Sequence, residues 1–202
     1  MDLIEIFNNH FPKISQKQII LFLILSILLA AVLIFIVQRK IIKTGQAVCI
    51  AGVFVWLYIV FLSTVFSRDP YPEMKYELMP FWSYVFTIQY RSVSMAEEIF
   101  LNVLLLMPMG VLLYAAFGRR VGVMRITAAG LSVSFCIEFL QLVLKRGLFE
   151  WDDMIHNTLG VYLGCWICKK IMDVCKKDES AVYGLQAGSS VGICVFTLCV
   201  LP

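Results

Sequence analysis

The fold of this chain is decided by three apolar stretches: EEIFLNVLLLMPMG (residues 97–110), SVSFCIEFLQL (132–142) and FEWDDMIHNTLGVYLG (149–164). Each stretch contains polar side chains, and those that we single out are Asn102, Glu138, Gln141, Asp153 and Asn157. An ionisable side chain inside a membrane span costs at least about 2.5 kcal/mol, so such residues are candidates for a functional site. We therefore interpret the rest of the chain as a frame that holds these side chains.

The composition is that of a membrane protein. Of the 202 residues, 60% are hydrophobic and 15% are charged, and the mean hydropathy is +0.85. A soluble domain would be about half apolar and about a quarter charged. The formal net charge is +3, with no basic face and no alternation of basic and aromatic residues, so the sequence gives no indication of a nucleic-acid partner.

The lengths of the apolar segments predict an all-α, polytopic bundle of transmembrane helices. A span needs about 20 mostly apolar residues. Five segments meet this requirement, at residues 19–37, 47–66, 99–117, 126–144 and 155–172. The tail, residues 181–202, is a weaker candidate for a sixth span because Gly188, Ser189 and Ser190 interrupt it.

The basic residues predict the orientation of these spans. Short cytoplasmic loops carry an excess of lysine and arginine. The loops after the first and third spans and the region after the fifth are basic, whereas the loops after the second and fourth spans contain both signs of charge. We therefore expect the latter two loops and the N-terminus to lie outside. No cysteine lies in these two outer loops, so an extracellular disulfide is not expected there.

The long outer loop, residues 67–96, is rich in aromatic residues and proline. Aromatic side chains concentrate at the level of the lipid headgroups, so we predict a short interfacial helix near residues 81–90. It forms either a simple aromatic belt or a lid over an outer site. Ser94 and Glu97 have the spacing of a capping box at the start of the third span, and Pro108 predicts a kink within that span.

The alternating direction of the spans brings the polar residues to one depth. Asn102, Asp153 and Asn157 lie near the outer ends of their spans, and Glu138 precedes the outer end of its span by about 9 Å at about 1.5 Å per residue. Since polar groups avoid lipid, we predict an outward-facing pocket made of these four residues and Gln141. Arg68, Lys145 or Arg146 could supply positive charge at its mouth.

Two structural roles compete with a functional pocket. The amides could be interhelical glue, at about 0.6 to 2 kcal/mol per hydrogen bond. Asp152 and Asp153 could cap the fifth span, because a helix dipole favours acids at its start. Glu138 argues against glue alone, since an amide could form the same bonds without a charge.

The small residues of the fifth span predict packing roles. Gly160 and Gly164 are four residues apart and form a flat strip that predicts close helix contact, including a homo-oligomer interface. Cys165 and Cys168 have the spacing of a redox or metal motif but lie in an apolar helix, which favours plain packing. We expect no metal site and no cofactor.

Four blocks of sequence carry a resemblance to a known family. They are LMPFWSY (78–84), NVLLLMPMG (102–110), the pattern Ser134, Glu138 and Gln141, and WDDMIHNTLG (151–160). In their order and spacing the chain resembles the VanZ-like family of bacterial membrane proteins, over roughly residues 67–166. Glu77 departs from the small polar residue usual there. We accordingly divide the chain into a two-span scaffold (1–66), a VanZ-like core (67–172) and a basic flank with a weakly apolar tail (173–202).

The resemblance implies a multi-pass protein of the bacterial plasma membrane that alters envelope behaviour. The family is named after a protein associated with low-level resistance to teicoplanin, an acylated glycopeptide. The resemblance itself implies neither a mechanism nor catalytic residues.

Three functions remain open at this point. The first is a non-enzymatic envelope protein that binds a membrane lipid or a lipid-linked cell-wall precursor through the predicted pocket and Arg68. The second is a membrane enzyme that acts on a lipid headgroup with Glu138 and Asp153 as acid and base. The third is a small transporter with Glu138 as a proton site, although no inverted repeat is evident. We favour the first, because the spans contain no convincing nucleophile.

Overall fold

The computed structural model describes residues 15–185, with side chains for residues 15–175. The described chain is mostly helical, and its elements follow one another in this order: α1 (Gln16–Gln38), α2 (Thr44–Phe61) with a π-helical turn (Leu62–Phe66), β1 (Lys75–Glu77), α3 (Trp82–Tyr90), α4 (Val93–Val121), α5 (Val123–Val143), β2 (Leu148–Glu150) and α6 (Trp151–Leu185).

Four of these helices are long and apolar enough to cross a membrane. They are α1, α2 with its π-helical turn, α4 and α5, which cover the first four predicted spans. The predicted fifth span lies within α6, but α6 is not among the four, and its first two turns carry several polar side chains. The greater part of the weak sixth segment, from residue 186 onward, lies outside the described residues.

Helix α6 makes its most extensive contact with α4, and α5 packs against a second side of it. Glycines make the contact with α4 close: a Cβ atom added at Gly160 or Gly164 would overlap the carbonyl oxygen of Val103 or Met107. The close helix contact predicted at these glycines is thus confirmed. The second helix is α4 of the same chain. Their contact in this structure is with α4, and a homo-oligomer through these glycines stays a prediction.

The core lies where α2, α4, α5 and α6 meet. Its buried members are Val60, Val65, Leu106, Tyr114, Ile126, Ile137, Val161, Cys165, Cys168 and Met172. Both cysteines of the CxxC spacing are fully buried there, and the Cys165 thiol donates to the Gly110 carbonyl at 3.5 Å. Their interpretation as packing residues is confirmed. Cys194 and Cys199 lie outside the described residues.

Helix α2 belongs to the bundle, whereas α1 is peripheral. The Gln46 amide donates to the Ala116 carbonyl at 2.7 Å, and the Trp56 indole donates to the Leu105 carbonyl at 2.8 Å, so both tie α2 to α4. Of α1 only Leu33 is buried. The remaining apolar side chains of α1 are left mostly exposed, as expected of a helix that faces lipid.

The connections after α2 and after α5 meet in a two-stranded parallel sheet. Lys75 pairs with Leu148, Tyr76 with Phe149 and Glu77 with Glu150. The two long connections therefore lie at the same end of the bundle, which we call the sheet end. Glu77, the departure from the family pattern, has a local role, since its carboxylate accepts from the Met79 amide at 2.9 Å.

Local predictions near α3 and α4 have mixed outcomes. The short helix predicted near residues 81–90 is confirmed as α3. The capping box at Ser94 and Glu97 is wrong: α4 begins after Ser92, whose hydroxyl accepts from the Met95 amide at 3.3 Å. Ser92 starts the helix because its backbone is still extended, which is the conformation that a capping residue needs. Helix α4 stays helical through Pro108.

Candidate functional site

A polar cavity of about 290 Å³ opens at the sheet end. It is lined by all five polar residues predicted for the pocket and by Arg68. Arg68, Tyr71 and Glu98 are exposed and form its mouth. Glu138 and Asn157 are only 1% and 2% exposed and form its floor. The structure therefore brings the predicted site residues together, with a depth gradient from solvent to the bundle interior.

Glu138 comes from the last turns of α5 and is bound to β2. Its Oε2 accepts a hydrogen bond from the backbone amide of Glu150 at 3.1 Å. A charge buried to this degree is costly unless hydrogen bonds compensate it. The bond fixes the strand across the floor of the cavity and leaves Oε1 of Glu138 without a hydrogen bond in the described part of the chain.

Asp153 and Asn102 form a direct bridge between α6 and α4. The Asn102 amide nitrogen donates to Asp153 Oδ1 at 2.5 Å. Hydrogen bonds to an ionised acceptor are shorter and about twice as strong as neutral ones. This contact matches the interhelical glue considered for the amides, so Asn102 has a structural role whatever else the cavity does.

Gln141 joins α5 to the π-helical turn that ends α2. Its Nε2 donates to the carbonyl oxygen of Thr64 at 3.1 Å. A π-helical turn shifts the backbone bonding pattern, and such turns are frequent at functional sites. The Ser63–Thr64 pair looked like plain scaffold in the sequence, which gives no signal for a π-helical turn.

Only one of the two polar atoms of the Asn157 side chain has a hydrogen-bond partner in the described part of the chain. Its Nδ2 donates to the hydroxyl of Ser134 at 3.0 Å, which ties α6 to α5. Its Oδ1 is buried and has no hydrogen-bond partner in the described part of the chain. An unsatisfied buried acceptor costs about 1–3 kcal/mol. The cavity floor therefore carries an acceptor that a bound donor could satisfy.

Asp152, which lies one residue before the predicted site, has a different task from the predicted one. It lies in the first turn of α6, as the dipole argument expects, but its carboxylate binds α3: Oδ1 accepts from the Phe81 amide at 2.6 Å, and Oδ2 accepts from the Ser83 amide at 2.9 Å and the Ser83 hydroxyl at 2.6 Å. Phe81 has a left-handed backbone with φ of 63°, which is strained for a bulky residue. Asp152 thus holds the start of α3 against α6.

His156 forms a second tie between α3 and α6, away from the cavity. Its Nε2 lies 2.8 Å from the Tyr84 hydroxyl. Burial raises the pKa of Tyr84, and the nearby Asp152 carboxylate raises it further, so this hydroxyl stays protonated at neutral pH. Neither residue lines the cavity.

The cavity is acidic. Its lining contains four carboxyl groups, those of Glu98, Glu138, Glu150 and Asp153, and the guanidinium of Arg68. Burial raises the pKa of Glu150 to about 7, and the charges of Asp153 and Glu98 add to the shift. Like charges in one site disfavour ionisation of each other, which is the physical cause of that addition.

The other two predicted cations of the mouth bind backbone instead. Lys145 donates to the Pro72 carbonyl at 3.0 Å, and Arg146 donates to the Phe66 carbonyl at 2.8 Å. They join the two connections at the sheet end. Among the described residues, no group of three His, Cys, Asp or Glu side chains is arranged to hold a metal ion.

One family model covers the whole site. The VanZ/LLP1 family model matches residues 48–173, which is more than half of the chain. The chain belongs to the VanZ/LLP1 family. No match is found among curated proteins or among solved structures. The VanZ/LLP1 match begins inside α2, ahead of residue 67 where the sequence resemblance starts, and α2 contributes the π-helical turn to the cavity.

Contacts in this VanZ/LLP1 chain connect the four sequence blocks of the resemblance. Asp152 of the last block holds the first block through Phe81 and Ser83. Asp153 and Asn157 of the last block bind the second and third blocks, through Asn102 and Ser134 respectively. The start of α6 therefore assembles the VanZ/LLP1 site, because side chains from its first two turns bind three different neighbours.

Proposed function

We propose that this chain is a multi-pass envelope protein of the bacterial plasma membrane that binds a membrane lipid or a lipid-linked cell-wall precursor at the outer leaflet. The binding site is the polar cavity at the sheet end. Through it the protein lowers susceptibility to teicoplanin-type lipoglycopeptides. The observation that carries this proposal is a buried, polar cavity floor that contains the carboxyl group of Glu138, inside a bundle whose exterior is apolar.

The surroundings of the cavity support a ligand that comes from the membrane. Phe100 and Leu101 of α4 and Phe139 of α5 are exposed, and they lie directly beside the cavity residues Asn102 and Glu138 in sequence. Exposed apolar side chains on both helices indicate that the cavity lies at the level of lipid rather than of bulk water. A lipid could then place its headgroup in the cavity while its chains stay in the bilayer.

The proposed topology has five spans with the N-terminus outside and α6 as the fifth span. The sheet joins the connections that follow α2 and α5, so both are on one side. The short connections at the other end carry Arg39, Lys40 and Lys43 after α1, and Arg119 and Arg120 at the end of α4. Basic residues favour the cytoplasmic side, which assigns the sheet end to the outside.

A susceptibility assay in a host that lacks a relative tests the proposed function. It compares empty vector, the wild-type chain, Glu138→Gln and Asn157→Ala, with vancomycin as the non-acylated comparison. Glu138→Gln removes the charge but keeps an oxygen that accepts from the Glu150 amide. We expect the wild-type chain to raise the inhibitory concentration of teicoplanin, but not of vancomycin, above that with empty vector. Both variants should lose this increase at equal expression.

The matched control for this assay is Glu97→Gln. Glu97 is an exposed acid next to Glu98 that does not line the cavity. It should keep wild-type protection. Protection that survives Glu138→Gln and Asn157→Ala would assign these residues to packing, and no protection from the wild-type chain would refute the role in drug susceptibility.

A second candidate function is favoured by the carboxyl groups of the cavity. Glu138 and Asp153 line the same space, as an acid and a base acting on a lipid headgroup would have to. A lipid analysis of cells with and without the chain tests this reaction. A modified lipid that depends on Glu138 and Asp153 would replace the binding proposal, while an unchanged lipid profile would remove the enzyme from consideration.

A further inference from the structure

The cavity is richer in hydrogen-bond acceptors than in donors. The side-chain nitrogens of Asn102, Gln141 and Asn157 already donate to protein oxygens. Glu138 receives one backbone amide, which occupies only one of its two oxygens. What a ligand meets on the floor is therefore mainly carboxyl oxygen.

Asn157 adds an observation that is independent of the acids. The residue lines the same cavity, and its Oδ1 is buried and has no partner among the described residues. With its nitrogen donating to the Ser134 hydroxyl, the amide leaves its oxygen as the group without a partner. An acceptor of this kind is satisfied only by a donor that enters the cavity.

The charge of the lining also favours a ligand that donates hydrogen bonds. Four carboxyl groups face one guanidinium, so an entering cation would offset repulsion that the empty cavity contains. An ammonium group carries three N–H donors and no acceptor, which suits this lining. A volume of about 290 Å³ is much larger than that of one water, about 30 Å³, so the cavity has room for a cation that is part of a larger group.

We propose that the cavity recognises a primary ammonium group, with the aminated headgroup of a phospholipid as its source. This inference rests on the proposed lipid-binding function. The ammonium lies on the floor, between Asn157 and the carboxyl groups. Arg68 at the mouth pairs with the phosphate of the same headgroup, since a guanidinium binds phosphate oxygens in a fork.

Retention of lipids by the full chain in nanodiscs is the test. The discs contain equal amounts of phosphatidylethanolamine, phosphatidylcholine and phosphatidylglycerol with matched acyl chains, and the lipids that stay with the purified protein are quantified by mass spectrometry. The ethanolamine and choline headgroups carry the same charge, but choline has no N–H donor. We expect about tenfold enrichment of phosphatidylethanolamine over phosphatidylcholine. This is the affinity ratio expected when the choline lipid cannot form the hydrogen bonds to charged groups.

Two variants and one control assign the enrichment to the cavity. Asn157→Ala removes the orphan acceptor, and Glu98→Gln removes an exposed carboxylate at the mouth that holds no other element in place. Both should reduce the enrichment severalfold, whereas the neighbouring Glu97→Gln should retain it. Because Glu98 is exposed, its variant tests the site even if Asn157→Ala does not fold.

The alternative outcomes separate the inference from the proposed function. Equal retention of the choline lipid, or preference for phosphatidylglycerol, overturns the ammonium site while lipid binding stands. Retention of no lipid class above its share in the disc overturns the ammonium site and the binding of these phospholipids, and leaves the lipid-linked precursor as the ligand of the proposed function. Displacement of the lipid by soluble phosphoethanolamine, and not by phosphocholine, supports the ammonium site and assigns it to a soluble amine.

Discussion

The carboxylate of Asp152 accepts three hydrogen bonds from the first residues of α3, and no other single side chain in the described chain is seen to do as much for this connection. It holds Phe81 in a left-handed conformation that costs roughly 1–2 kcal/mol for a residue with a side chain. At the scale of residues, the site depends on such pairs between a side chain and a distant backbone.

Replacing Asp152 by asparagine tests that dependence. The amide keeps one acceptor oxygen and presents an NH₂ group to donors that need an acceptor, so we expect a loss of about 2–3 kcal/mol of stability. This corresponds to a Tm lower by about 4–10 °C in a chain of this size. Thermal unfolding in detergent measures it, with the exposed loop acid Asp69→Asn as the control. Equal Tm values for the two variants would contradict the role of Asp152.

Glu150 makes stability depend on pH. Its pKa is raised from 4.5 to about 7 in the folded chain, first by burial and then by the charges of Asp153 and Glu98. Between these values the native state holds more protons than the unfolded state, so stability falls as pH rises. The contribution that is fully present below about 4.5 is lost by the time pH passes 7.

Glu150→Gln should remove this part of the pH dependence. After solvent screening is allowed for, we expect the free energy of unfolding of the variant, relative to wild type, to be higher at pH 8 than at pH 5 by about 1 kcal/mol. This corresponds to a relative gain of about 2–4 °C in Tm. Melting curves at both pH values give the number. The control is Glu73→Gln, an exposed acid outside the cavity. If Glu150→Gln and wild type change in parallel with pH, Glu150 is not the group that titrates.

At the scale of elements, the close contact of α4 and α6 places the cavity. Gly160 and Gly164 let the backbone of α6 approach the carbonyl oxygens of α4. Because the helices are this close, Asn102 of α4 reaches Asp153 of α6 directly. The π-helical turn then lets the end of α2 present the Thr64 carbonyl to Gln141.

Gly164→Ala should therefore be destabilising although it adds one methyl group. The added Cβ meets backbone and not a movable side chain, so the helices must separate. We expect a loss of about 1–3 kcal/mol, as for overpacking in a tight core. The comparison is Gly52→Ala, whose Cβ meets only the side chain of Leu112, at 3.2 Å. Similar melting temperatures for the two variants would show that the contact between α4 and α6 can accommodate a Cβ atom at residue 164.

At the scale of the whole molecule, the sheet fixes which connections share a side. It pairs residues 75–77 with residues 148–150, so an even number of crossings separates the two connections. The helices α4 and α5 between them supply two, which agrees with four apolar helices of sufficient length. The side on which the sheet lies, and the crossing by α6, belong to the proposed topology.

Labelling of added cysteines tests that topology. A membrane-impermeant maleimide should label Glu73→Cys in intact cells, and should label Arg120→Cys and Lys177→Cys only after permeabilisation. The unsubstituted chain gives the background from its native cysteines. Labelling of Lys177→Cys in intact cells would show that α6 does not cross, and reversed labelling of the other two positions would invert the molecule.

Much of this architecture follows from the sequence. The hydropathy of the long segments determined the helices α1, α2, α4 and α5, because burial in lipid depends on composition and length and not on a partner. Alternation of direction then placed Glu138, Asp153 and Asn157 at one depth. For the same reason, the residues lining the cavity could be named before their contacts were known.

The tertiary structure alone decided how those residues are used. The carboxylate of Asp152 binds the start of α3, Gly160 and Gly164 contact α4, and Lys145 and Arg146 bind backbone rather than the cavity. Each of these contacts joins elements far apart in the chain. Sequence determines which groups need a partner, but the partner is set by the angles at which helices pack and by the path of the connections between them.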